Sequence, residues 1–248
     1  MESTEVHILF HCFYMQMGVT NGHPILSIRW PLTPMPEPEI GEVYKNLTFN
    51  LGSTNTILIK DDRKNILVDP GILQLGRYGA FQSRLAELGL KTEDIDVVIN
   101  THCHYDHIEG NYLFEGKPLI IHEKEIEYCR NLYWPEFAEA FLGILDLKPI
   151  ERSVEVTENI SVIETPGHTP GSISVIVKTN KGKIACIGDA AIVKEDYLLF
   201  RPPSVVTKNI APEVSVASLR KVASCKPFLV IPGHDAPFSP SNSEKFID

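Results

Sequence analysis

The chain has 248 residues, 43% of them apolar and 22% charged, with a formal net charge of −9. That length and apolar content suit one large domain over residues 1–248 with a sizeable core. The acidic balance gives no basic patch of the kind that non-specific nucleic-acid or anionic-membrane binding needs. No run of about 18 apolar residues occurs, and the N-terminus lacks a basic region followed by a hydrophobic one. Five cysteines (Cys12, Cys103, Cys129, Cys186, Cys225) are odd in number and have no paired spacing. They fit a reducing compartment, and the chain reads as a cytoplasmic protein.

In chain order, 5–15 is apolar and aromatic and reads as a first strand, with 25–30 as a second. Pro31, Pro34, Pro36 and Pro38 then break regular structure, so 31–42 reads as an irregular connection. The runs 54–59 and 65–68 flank a polar turn at 61–64 and read as a hairpin. The second strand ends in Asp69-Pro70-Gly71, an acidic residue followed by breakers. Residues 81–88 have helical spacing with Gly89 as a stop, and 94–100 reads as a buried strand.

That strand runs into Asn100-Thr101-His102-Cys103-His104-Tyr105-Asp106-His107. Four strong metal ligands lie within six residues. Alternation brings His102 and His104 out on one side of an extended chain, and a turn must then carry Asp106 and His107 to the same cavity. Imidazole nitrogen and carboxylate oxygen suit zinc, and also iron or manganese. The same alternation turns Cys103 away, as a buried structural thiol.

Beyond the cluster, 118–121 reads as a short strand, and 123–131 and 135–145 as two helices, the second opening on a proline. They carry Tyr128, Tyr133, Trp134, Phe137 and Phe141, aromatics that serve as core and as a wall for a substrate pocket. Strands follow at 160–164, 172–177 and 183–187. An amphipathic helix over 212–224 directs Val214, Val216, Leu219 and Val222 inward, 228–231 is the last strand, and 239–248 is a peripheral tail. Three of these segments end in further ligands: His168 between two Pro/Gly turns, Asp189 after the run 184–188, and His234 after 229–233. His7, His11, His23 and His122 lack ligand spacing and read as structural. Strand-rich halves with helices between them point to an α/β (α+β) protein of two facing mixed sheets with helices outside.

From Asn55 to His234 the chain resembles the metallo-β-lactamase superfamily, the αββα-sandwich metallohydrolases. Its His-x-His-x-Asp-His signature stands here as His102, His104, Asp106 and His107, and the later ligands match His168, Asp189 and His234. The resemblance implies one divalent cation on His102, His104 and His168. It implies a second on Asp106, His107 and His234, with Asp189 bridging and Asp69 behind the ligands. Zinc is the expected metal, with iron or manganese as alternatives. Two such cations would turn a bridging water into hydroxide and polarise the electrophile, and Asp106 could orient that nucleophile or pass a proton to the leaving group.

The short chain and the helical insert resemble the N-acyl-homoserine lactonases, which implies hydrolysis of a small ester, lactone or thioester. Those enzymes carry a tyrosine three residues past the bridging aspartate, where this chain has Ile192, and Tyr197 is the nearby substitute. Tyr133, Trp134, Phe137 and Tyr197 are therefore the expected pocket residues. The ending 230–238 resembles the metallo-β-lactamase domain-containing protein 1 group, which makes a nuclease or phosphodiesterase the alternative. Mononuclear-iron persulfide dioxygenases keep the same motifs. The expected partner is a small molecule, then nucleic acid, with no membrane and with a homodimer admissible.

Overall fold

The computed structural model describes residues 4–20, 23–29, 47–62, 64–71, 78–203 and 210–240. The irregular connection expected at 31–42 and most of the tail lie outside them. Fourteen strands are described: β1 (Glu5–Phe10), β2 (Phe13–Thr20), β3 (His23–Arg29), β4 (Leu47–Ser53), β5 (Thr56–Asp61), β6 (Lys64–Val68), β7 (Val97–Ile99), β8 (Pro118–His122), β9 (Asp146–Ile150), β10 (Val154–Glu155), β11 (Ile160–Glu164), β12 (Ile173–Thr179), β13 (Gly182–Gly188) and β14 (Leu229–Pro232). The described helices are α1 (Tyr78–Glu87), α2 (Tyr105–Ile108), α3 (Glu123–Leu132), α4 (Pro135–Ala138), α5 (Lys194–Leu198) and α6 (Pro212–Ser224).

Two mixed sheets dominate. One runs β1-β5-β6-β7-β8-β9, antiparallel at its start and parallel from β6 onward. The other runs β10-β11-β12-β13-β14, antiparallel until the parallel β13–β14 pair. Their inner faces meet through Ile57, Ile59, Ile66, Val68 and Ile99 on one side and Val162, Ile173, Val175, Val177 and Ile231 on the other. Central strands such as β5 are buried on both faces, which is why they read as continuous apolar runs.

The outer face of the first sheet carries Leu58, Leu67 and Val98 under Phe81 and Leu85 of α1, Ile108 of α2 and Cys129 of α3. The outer face of the second carries Ile176, Ala185, Ile187 and Val230 under Leu219 and Val222 of α6. The layers are therefore helix, sheet, sheet, helix, as expected. A third sheet, β3-β2-β4, is antiparallel.

Several expectations need correction. The single strand read at 5–15 is two, because the chain leaves one sheet after Phe10 and enters another at Phe13. The strand read at 94–100 shortens to β7, since 92–94 forms a 3-10 turn capped through Asp94. The helix read at 135–145 begins with Pro135 at its first position but widens into a π-turn over Glu139–Gly143. On α6, Val214 and Val216 are half-buried, and Ser215 and Ser218 take the inward face with Leu219 and Val222. Ser218 Oγ donates to the Pro166 carbonyl at 2.6 Å, so α6 backs the loop that delivers His168. Among the described residues no helix is long and apolar enough to cross a membrane.

Candidate metal centre

The ligand candidates come from the C-terminal ends of strands at one edge of both sheets. β7 ends at Ile99, and His102 to His107 follow through an extended turn into α2, with His104 at its N-cap. β11 leads through the Pro166–Gly171 turns to His168, β13 ends at Gly188 before Asp189, and β14 ends at Pro232 before His234. Ligands at strand ends over a crevice are the usual outcome of open α/β sheets.

Two groups form there. In the first, His102 Nε2 lies 3.1 Å from His104 Nδ1, and His168 Nε2 lies 2.8 Å from the same atom. In the second, His107 Nε2 and His234 Nε2 are 3.4 Å apart, and Asp106 Oδ2 is 3.2 Å from His234 Nε2. Asp189 joins them: its Oδ2 lies 3.3 Å from His168 Nε2, and its Oδ1 lies 3.4 Å from the Nε2 atoms of both His107 and His234. Among the described residues, His102/His104/His168, His102/His107/Asp189 and Asp106/His107/His234 each present three donor atoms within reach of one ion.

The donor set fits cations. Three imidazole nitrogens turned toward one point cannot all be satisfied by one shared proton. Their separations approach the ~3.3 Å edge of a tetrahedron whose ligand atoms lie ~2.05 Å from its centre. Asp189 Oδ1 is buried and makes no well-directed hydrogen bond, with the His107 and His234 Nε2 atoms facing it at 3.4 Å, a poorly satisfied carboxylate oxygen that a cation between these groups would partner directly. The backbone is shaped to put it there. Gly188 has a positive φ of 48°, and a Cβ on it would stand 2.4 Å from Thr101 Oγ1; a Cβ on Gly233 would stand 1.9 Å from Asp189 Oδ1.

The electrostatics differ between the two groups. Burial, then the neighbouring imidazoles of His107 and His104, hold His102 well below the ordinary imidazole range. Burial and His168 lower His104 to about 4. Burial also disfavours charge on His107, but Asp189, Asp69 and Asp106 outweigh it and raise His107 to about 10. The same contest, with Asp189 and Asp106 prevailing, puts His234 well above its usual range. Burial would raise both carboxylates. Instead His107 and His234 bring Asp106 down to about 2, and His234, His107 and His168 hold Asp189 well below its ordinary value.

Behind the ligands stand polar braces. Asp69, buried and with a positive φ of 49°, accepts from Thr101 N at 2.7 Å, Thr101 Oγ1 at 2.6 Å and His107 Nδ1 at 2.9 Å. That fixes the His107 tautomer and ring, as partners behind a metal ligand do. Asn55 donates to the carbonyls of Pro232 and Asp235 at 2.7 and 2.8 Å, holding the His234 turn. Asn111 pairs with Asn100 and donates to the Phe141 carbonyl at 2.8 Å. Glu125 accepts from Cys103 N and Gly171 N. The sequence reading missed Asn55, Asn111 and Glu125 as site residues, because a lone amide or a carboxylate in a helix carries no spacing signal.

The aromatic candidates divide. Tyr133 stacks on Phe137 at 4.1 Å, Trp134 meets Phe137 edge-on at 5.4 Å, and Tyr105, beside the ligands, approaches Phe137 at 5.9 Å. Tyr133 OH accepts the Tyr105 N–H at 3.0 Å, which ties this wall to the ligand loop. Tyr197 is elsewhere. It is buried in the outer cluster against Phe200 and Phe238, and burial beside Cys225 raises its hydroxyl to about 12. The structure does not bring it to the ligand cluster. Cys103 is buried and faces Cys129 and Glu125 rather than the ligands, and His122 caps α3 by accepting the Lys124 N–H.

Residues 49–234 match the metallo-beta-lactamase superfamily. The chain belongs to that family. An N-acyl homoserine lactonase of Bacillus cereus is 33% identical over 153 residues, covering 61% of this chain and 60% of that protein. A Methanocaldococcus jannaschii protein described as a probable metallo-hydrolase is 38% identical over 151 residues, covering 61% of this chain and 62% of its own length. The chain thus spans about three-fifths of the curated relatives it matches. A solved N-acyl homoserine lactone hydrolase with N-hexanoyl-L-homoserine at its metal centre aligns over 100% of this chain and 96% of its own. It has a TM-score of 0.66 at 23% identity, a likeness of fold.

Proposed function

We propose that this chain is a metal-dependent hydrolase that opens a small lactone, with two divalent cations, zinc by preference, as cofactors. The observation that carries the reading is Asp189, whose two oxygens face two separate groups of imidazoles while Oδ1 has no hydrogen-bond partner. His102, His104 and His168 would hold one cation, and Asp106, His107 and His234 the other. Such a pair supplies a water activated at neutral pH and a Lewis acid for the substrate carbonyl. The lactone class comes from the relatives named N-acyl homoserine lactonase.

The chain's own residues do the rest. Asp106, part-exposed and ionised at neutral pH, would accept a hydrogen bond from the attacking water and orient it. It would take up one of that water's protons as the new C–O bond forms, and pass it to the leaving alkoxide as the lactone C–O bond breaks. Asp69 holds His107 in register, so the second group keeps its shape as charge develops. Trp134, Phe137 and Tyr105 offer an apolar wall beside the ligands for the non-reacting part of a substrate. Ile192 delivers no hydroxyl three residues past Asp189; its carbonyl instead accepts the His234 N–H at 3.0 Å.

The test is hydrolysis of a panel of acyl-homoserine lactones, simple lactones and aryl esters by zinc-loaded, chelator-stripped and reconstituted protein. Lactone opening that is lost on stripping and restored by zinc is the expected result. Turnover indifferent to stripping, or confined to phosphodiesters, would overturn the proposal.

A further inference from the structure

One buried charged group has no part in the chemistry above. Glu125 lies in the first turn of α3 and is fully buried. Its Oε2 accepts the Cys103 N–H at 3.0 Å, and its Oε1 accepts the Gly171 N–H at 2.7 Å. Cys103 stands between His102 and His104, and Gly171 is three residues after His168. One carboxylate therefore joins the two loops that supply the three-imidazole group. The fit is close, since a Cβ on Gly171 would stand 3.0 Å from both Glu125 Cγ and Glu125 N.

The same face of α3 makes further contacts with the same group. Tyr128, three residues on, places its hydroxyl 3.5 Å from His104 Nε2, at the limit of a hydrogen bond. Cys129, four residues on, faces the Cys103 thiol. The other group has different supports, Asp69 behind His107 and Asn55 behind the His234 turn.

We propose that Glu125 is a positioning residue for the three-imidazole group, and that it sets the cation affinity of that group separately from the other. This rests on the metallohydrolase reading. A buried carboxylate is costly without donors, so the two N–H groups it holds resist separation of the loops that carry them. His102 and His104 on one loop and His168 on the other must keep their ring nitrogens about 2.0–2.1 Å from a common centre, to within about 0.2 Å. A partner behind the ligands that fixes this distance controls affinity without touching the ion. Glu125→Gln keeps the volume but presents an NH2 where one of the N–H donors points. Tyr128→Phe removes only the hydroxyl facing His104.

The experiment is stepwise zinc removal from the full chain by a competing chelator, in wild type, E125Q and Y128F. The two steps are assigned with His168→Ala and His234→Ala, and far-ultraviolet circular dichroism checks folding. Wild type should release two zincs. E125Q should weaken the step that His168→Ala abolishes by about 10–100-fold and leave the other within about twofold. Y128F should weaken the same step by less. If wild type holds two zincs and E125Q and Y128F leave both steps unchanged, or weaken both equally, the positioning role is overturned while the metallohydrolase reading stands. If wild type holds no zinc, that reading falls and this inference falls with it.

Discussion

His102, His104 and His168 meet as imidazoles without a carboxylate of their own. Asp106, His107 and His234 meet as an acid between two bases, and Asp189 faces both groups. In the first group two of the three imidazoles are held against protonation, His102 well below its usual range and His104 at about 4. The second is a network of ion pairs, with His107 at about 10, His234 well above its usual range and Asp106 at about 2. Without metal, His102 and His104 exclude protons, whereas His107 and His234 hold them against Asp106 and Asp189. One cluster can thus contain two sites with opposite proton demands. A cation entering the first finds free lone pairs, whereas one entering the second must displace protons.

The most damaging way to break this pairing is Asp189→Ala, which removes the oxygens that both groups face. Lactone hydrolysis should fall by at least about 10³-fold, with metal content falling for both groups. Loss of a single equivalent would show that Asp189 belongs to one group alone.

The next test sharpens the contrast through pH. His107 is raised from 6.5 to about 10, so its pairing stabilises the metal-free fold fully below 6.5 and is lost as pH rises through about 10. His104 is lowered from 6.5 to about 4, so its contribution is present above 6.5 and is lost as pH falls through about 4. Metal-free protein should therefore be most stable near neutrality, each group giving a limb of up to about 1.4 kcal/mol per pH unit. Urea midpoints across pH 4 to 10 check this, and zinc should flatten the alkaline limb. A single monotonic limb would contradict the division into a neutral and a charged group.

The smallest expected effect is at the wall. Trp134 is 55% exposed, so Trp134→Ala should change stability by no more than about 0.5 kcal/mol. It should raise KM for long-chain acyl lactones by several-fold and leave kcat close to wild type. Unchanged KM across chain lengths would remove the aromatic wall from substrate binding.

Much of this was legible in the sequence, for a physical reason. Metal-ligand chemistry is restricted to a few residue types, and strands buried on both faces are apolar throughout, so His102 to His107 after 97–99 announces both a layer and a crevice. The braces were not legible. Glu125 in a helical first turn looks like a solvated charge beside a helix N-terminus, and only its burial between two loops separates the cases. Asn55 and Asn111 act through partners up to 180 residues away in sequence. Ser215 and Ser218 displaced valines from the inner face of α6 because the helix must approach the His168 loop closely. The edge strands β9 and β10 escaped notice because β9 is largely exposed and contains Pro149, and β10 is two residues long. Tyr197 was singled out by its closeness to Asp189 in sequence, and α5 places its ring against Phe200 and Phe238 in the outer cluster, beside Ala190 and Ala191.

Seven residues that form two cation sites sharing Asp189 should retain metal through purification. Elemental analysis of protein purified without added metal, run beside Asp189→Ala, measures this. Two divalent ions per wild-type chain, chiefly zinc, and loss of both in the variant are expected. One ion per chain, or two retained without Asp189, would rule out a shared pair of sites.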